Sequence, residues 1–165
     1  MATKIHLTDT MLATMEGDLR TKCQASLVAA GMTQLVFGVF SVDDLENKLA
    51  SELCSKIGVG VAYAGAEPVP PAPQHKPPNV DHSRAARAVK YVFQVILAVP
   101  ANDTCDERAN GTQLLTAFRR RIHGKFVDGD SANRTWAFAG EKPIPEESTA
   151  NMLFYVQLWS VIMFN

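Results

Sequence analysis

The sequence predicts a single α+β domain, residues 1–165, with a mostly antiparallel or mixed sheet and about three helices packed on it. Three observations carry that expectation. Two long apolar stretches, residues 86–99 and 151–164, are rich in β-branched and aromatic side chains, which suit a pleated strand. Three other stretches space their apolar residues at helical intervals. Short apolar runs fill the gaps, so the order reads helix, strand, helix, strand, strand, helix, strand, strand. Helices mixed into runs of sequential strands are the pattern of α+β domains. A chain of 165 residues buries a substantial core without metal or disulfide staples.

The first helix is expected over residues 8–30, where Met11, Met15, Leu19, Cys23 and Leu27 recur at steps of four and Leu12 and Val28 widen the stripe. Thr8 or Asp9 caps its start, and Gly31 suits the left-handed position past its last turn. Residues 35–40, LVFGVF, read as a short strand. Ser41 opens the second helix, with Asp43, Asp44 and Glu46 near its start, where the dipole favours acid. Val42, Leu45, Leu49 and Leu53 form its buried stripe. Residues 57–65, IGVGVAYAG, then alternate with period two: Ile57, Val59, Val61 and Tyr63 on one face, only Gly and Ala on the other. A strand with one bald face is one that another element approaches closely.

Residues 67–80, EPVPPAPQHKPPNV, concentrate Pro68, Pro70, Pro71, Pro73, Pro77 and Pro78. The stretch is expected to be an extended, polyproline-like loop. As a linker it would leave fragments without complete layers, so it reads as a long loop within one domain, a feature that usually serves function. In the strand over 86–99, Val89, Tyr91, Phe93, Val95 and Leu97 share one face, and Val92, Ile96 and Ala98 the other. Thr104 and Glu107 make a capping box for the third helix, which buries Leu114, Leu115, Phe118 and Ile122 and ends at Gly124.

Polar residues 125–134 precede a short strand at 135–139, and Pro143 and Pro145 mark the turn into the last strand. That strand, NMLFYVQLWSVIMF, carries no charged side chain and is shorter than the roughly 20 residues of a membrane span. It is expected to be docked, with both faces covered over most of its length. Strands of this length exceed the usual range of about three to ten residues. Part of each long strand therefore projects past the core or pairs with another subunit.

Sixteen basic residues against seventeen acidic ones give a net charge of −1, a balance that does not favour nucleic acid. Cys23, Cys54 and Cys105 lack metal-ligand spacing and read as reduced, mostly buried thiols. The first residues hold no apolar signal region, which predicts cytoplasmic synthesis.

No P-loop, G-x-G-x-x-G, G-x-S-x-G, H-E-x-x-H or C-x-x-C is present. His6, His75, His82 and His123 are scattered, and Glu146 and Glu147 sit side by side in a turn instead of converging from separate elements. The expectation is no catalytic residue, no metal ligand and no cofactor, hence a non-enzyme. Arg119, Arg120 and Arg121 form the strongest charge cluster; they either complement the dipole at the end of the third helix or meet an acidic partner. Arg119, Arg120 and His123 are expected on its exposed side, because Leu115, Phe118 and Ile122 claim the buried one. Together with Pro70, Pro71 and Arg134 they are the candidate partner-contact residues. A ligand-binding enzyme would need a convergent polar pocket. A nucleic-acid module would need exposed aromatics and a basic face, whereas here the aromatics are expected to be buried.

The layout resembles a phage tail terminator or tail-completion protein of the Mu-like type. The resemblance rests on the order of elements, the strand KYVFQVILAVPAN, the helix ERANGTQLLTAFRRRIHG, a following segment with a Trp, and the terminal strand. The proline segment is longer than that family's pattern. The resemblance implies a homo-oligomeric ring, a hexamer, at the head-proximal end of the tail in the virion, made in the host cytoplasm. Such a ring ends polymerisation of the tail tube protein and offers a surface to neck, head-completion or sheath proteins. The genome DNA passes through it without specific binding, and no membrane is involved. Another neck or connector ring of the virion is the alternative, with a small nucleic-acid- or ligand-binding module behind it.

Overall fold

The half-bald strand divides two layers of helix. The computed structural model describes residues 9–51, 56–69, 88–101, 105–145 and 152–164. Its elements are α1 (Asp9–Ala29), a 3-10 turn (Thr33–Leu35), β1 (Val36–Ser41), α2 (Val42–Ser51), β2 (Ile57–Pro68), β3 (Ala88–Pro100), α3 (Cys105–Ile122), β4 (Ala137–Pro143) and β5 (Met152–Phe164). One mixed sheet runs in the order β1-β2-β3-β5-β4, with β1 and β2 parallel and the remaining pairs antiparallel. This is the α+β domain that the pattern predicts.

Ile57, Val59 and Val61 face α1 and α3 in the main core, with Phe93, Val95, Leu97, Leu114, Phe118, Trp136 and Trp159. Aromatic side chains of this size each bury about 150–250 Å² and dominate such a core. On the opposite face, α2 lies directly over the glycines. A Cβ at Gly58 would sit 2.6 Å from Leu45 Cδ1, and one at Gly60 would sit 2.8 Å from Leu45 Cδ2. Real side-chain atoms do not approach that closely, so only glycine lets Leu45 reach the sheet. The helices thus occupy both faces, with α2 alone behind β1 and β2.

Local signals end the helices as expected. Met32 N–H donates to Leu27 O at 3.0 Å and Gly31 N–H to Val28 O at 3.1 Å, with Gly31 at φ +66°. That is a Schellman stop, and Met32 and Leu27 both join the core beside it. Ser41 Oγ accepts the Asp44 N–H at 3.2 Å, capping α2.

β3 and β5 pair along their whole length, from Ala88↔Phe164 to Pro100↔Met152. Their flanking strands are shorter. β1 accompanies β2 only as far as Ser41↔Val61, and β4 accompanies β5 only from Tyr155 to Ser160. Past those points β2, β3 and β5 continue as a three-stranded tongue. Its two outer edges, residues 62–68 and 161–164, have no strand partner among the described residues. Where β1 stops, Glu16 of α1 takes over, its carboxylate accepting the Tyr63 N–H.

Several expectations need correction. Val28 is 63% exposed and does not widen the buried stripe of α1, because it lies toward the outer side of the last turn. The fourth strand runs from Ala137 to Pro143, displaced toward β5, since residues 125–136 form a loop tied by the Phe126↔Thr135 bridge. Glu67 and Pro68 belong to β2, paired with Lys90 and Val89, so the proline segment starts as strand. The last strand is covered on both faces over most of its length, as expected: Val156 and Ser160 are buried as well as Gln157, Trp159 and Val161, and among its described side chains only Ile162, at 40%, is exposed. Leu53, Thr104 and the side chain of Glu107 lie outside the described residues, as does the rest of the proline segment from Pro70 on.

Candidate partner interface

Three consecutive arginines at the end of a helix fan out at about 100° intervals, so they cannot share one role. Arg119 turns toward β4. Its Nη1 lies 3.3 Å from Glu141 Oε1, and its guanidinium is 5.6 Å from the Phe138 ring. Glu141 Oε2 also accepts from Gln157 Nε2 at 3.0 Å; that amide donates to Leu115 O at 2.9 Å, and Gln157 Oε1 accepts the Trp159 indole N–H at 3.0 Å. His123, one turn further, accepts the Phe138 N–H on Nδ1 at 3.1 Å. Arg121 turns the other way, its Nη2 donating to Ala29 O at 3.2 Å among the terminal carbonyls of α1. Arg120 points out between them, exposed and without an ion pair among the described residues.

Arg119, Arg120 and His123 therefore do not form one free patch. Arg119 and His123 are tied to β4, and Arg120 belongs instead with Arg121 and α1. Arg134 is also committed within the chain: Nη2 meets Asp130 Oδ1 at 2.5 Å and Nε meets Oδ2 at 2.7 Å. Asp130 further accepts the N–H groups of Ala132 and Arg134, closing the loop on itself. The Arg134 guanidinium holds the Asp130 carboxyl down at about 2. Pro70 and Pro71 lie outside the described residues.

What the sequence reading missed is a pair of grooves flanking Arg120 and Arg121. The first, about 430 Å³, is floored by Ala30, Met32 and Ala117 and edged by Thr112 and Gln113. The second, about 630 Å³, runs past Ala25 and Ala29 to Lys22, Lys125, Phe126 and Asp128. Lys22 is spoken for, at 2.7 Å from Asp18 Oδ1 and 3.1 Å from Asp128 Oδ2, and it holds the Asp128 carboxyl below its ordinary range. Lys125 and Arg120 have no ion pair among the described residues, and they line the groove with a Phe126 ring that is 59% exposed. Phe126 corrects the expectation that the aromatics are buried; it sits in a stretch whose polar composition masks it.

Burial pushes the Cys23 thiol up, in keeping with an inert core cysteine. Among the described residues no three His, Cys, Asp or Glu side chains converge as a metal set would, and no helix is long and apolar enough to cross a membrane. No family model matches the chain, and no curated protein matches it. A crystal structure from Akkermansia muciniphila is similar over 95% of this chain and 85% of that one, at 12% identity and a TM-score of 0.28. A likeness at that level carries no argument about function.

Proposed function

We propose that this chain is a structural virion protein of the tail-terminator kind, forming a ring, a hexamer, that caps the tail tube and presents a surface to neck or head-completion proteins. The observation that carries the reading is the three-stranded tongue. Among the described residues its β2 and β5 edges have no strand partner, Glu16 capping only the Tyr63 N–H, and the two edges differ from one another. Open edges are templates for pairing with another chain, and an edge that meets a different edge on the next copy generates a head-to-tail series. Such a series closes into a ring when the rotation per subunit sums to a full turn, and it leaves two unlike faces for two partners. A ring around a tube needs that pair of unlike faces.

The deciding experiment deletes the gene from the phage that carries it. Tails of unregulated length, lacking heads, are expected, with complementation restoring both. In complemented particles a tag on this protein should map to the head-proximal end of the tail. Normal tail lengths and normal titres after deletion would rule the reading out.

A further inference from the structure

The basic grooves and the acidic end of α2 lie on opposite faces of one sheet, so no chain can join its own two halves. α1 and α3 cover the Val59 and Val61 face, and α2 covers the Gly58 and Gly60 face. Each half pairs charge with exposed apolar surface. On the basic side, Arg120 and Lys125, without an ion pair among the described residues, line a groove with exposed Phe126 and several alanines. On the acidic side, Asp43, Asp44 and Glu46 are exposed on the first turns of α2, next to a β1 edge where Phe37 is 38% exposed, tilted against Phe40 at 5.8 Å and with the Lys48 ammonium 5.9 Å over its ring. Asp44 is bonded to Ser41 Oγ, whereas Asp43 and Glu46 have no ion pair among the described residues. Large exposed hydrophobics are otherwise sparse; only Val28 on α1 and Ile162 on β5 complete the set among the described residues.

We propose that the groove between α1 and the end of α3 receives the acidic first turns of α2 from a second copy of this chain. The inference rests on the ring reading and deepens it by naming the residues that meet. Carboxylates of the incoming helix reach Arg120 and Lys125, and Phe37 comes against the alanine and Phe126 surface. Unlike charges facing across a contact fix its register and exclude wrong pairings. A floor of small apolar side chains suits the side of a helix better than a phosphate backbone, which takes rows of cations and backbone N–H groups instead. Because the two halves differ, copies that join through them do so head to tail.

The test uses the full-length chain in sedimentation velocity, with concentration raised at low salt and the melting temperature as a folding control. Wild type should self-associate and fall apart as salt rises. Arg120→Glu with Lys125→Glu should weaken association by at least about tenfold, a change of about 1.4 kcal/mol. Adding Asp43→Lys and Glu46→Lys to that same chain should restore it. Wild type that stays monomeric throughout overturns the inference. So does unimpaired association of the double reversal, and that outcome leaves the ring reading standing, since tail length in the deleted phage judges the ring. Association lost but not restored removes α2 as the occupant. Binding of a short DNA duplex that the double reversal abolishes, without self-association of the wild type, would give the groove to nucleic acid and overturn the inference too.

Discussion

Trp136 donates its indole N–H to the carboxylate of Asp18 at 2.7 Å, joining residues 118 positions apart in the chain. Both are buried, and the other Asp18 oxygen holds Lys22. The contact pins the loop after α3 to the middle of α1. It also supplies the buried indole with the acceptor that such groups require.

Asp18→Ala strands the Trp136 N–H in the core. The expected loss is about 1–3 kcal/mol, the usual cost of a buried donor left without a partner. Asp18→Asn keeps an acceptor oxygen and should lose less. Urea midpoints for the two variants decide the matter; equal midpoints would mean the bond contributes little.

Gly60→Ala sets a methyl group against Leu45 Cδ2, with Leu45 Cβ and Val42 Cγ2 each 3.4 Å away. Overpacking of this kind costs about 1–3 kcal/mol. Leu45→Ala alone should cost about 2–5 kcal/mol by leaving a void. Combined, the two should cost clearly less than their sum, because the added methyl fills part of the space that Leu45 vacates. Additive thermal losses would show that α2 does not rest on these glycines.

The Asp130–Arg134 pair makes stability depend on acid. Asp130 titrates at about 2 in the folded chain, against an ordinary value of 3.8, chiefly because Arg134 donates to its carboxylate. The lowered value means that the contribution is complete above about pH 4 and drains away as pH falls through about 2. Asp130→Asn should flatten the stability profile across that window and leave the slope at higher pH unchanged. An identical acid limb in the variant would assign the loss to other carboxylates.

Gln157→Leu removes the acceptor of the Trp159 N–H and the donor to Leu115 O at a fully buried position. A loss of about 2–3 kcal/mol is expected, near the upper end for unsatisfied buried groups. Arg119→Ala, which breaks the half-exposed pair with Glu141 and the contact with the Phe138 ring, should cost about 1 kcal/mol. Chemical denaturation separates the two, and a larger effect at Arg119 would contradict this ranking.

Period and punctuation in the sequence carry the fold well. The alternation from Ile57 to Tyr63 announces both a core face and a close approach, and Leu45 makes that approach. Gly31 and Ser41 stop and start their helices as their chemistry dictates. Pairwise chemistry is another matter, because periodicity assigns a side chain to a face without naming what it meets there. Nothing near Arg119 in the chain points to Glu141, and Lys22, on α1, gives no sign that it borders a groove with Arg121, 99 positions later. The grooves are products of how two helices and a loop come together, so only the folded chain displays them. Phe126, an aromatic masked by polar neighbours, gives no sign in the chain that it borders one of them.

β5 enters the sheet between β3 and β4, although it follows both of them in the chain. While the chain is being made, the place between β3 and β4 therefore stays empty. β3 has its β2 neighbour early, but its other edge waits more than fifty residues of synthesis, and β4 has no strand to join until then. Long-range strand pairing of this kind slows folding and leaves apolar edges open to other chains. At the ribosome the nascent protein thus passes through a stage in which an unfinished central strand is its most adhesive surface, and the release of β5 ends that stage.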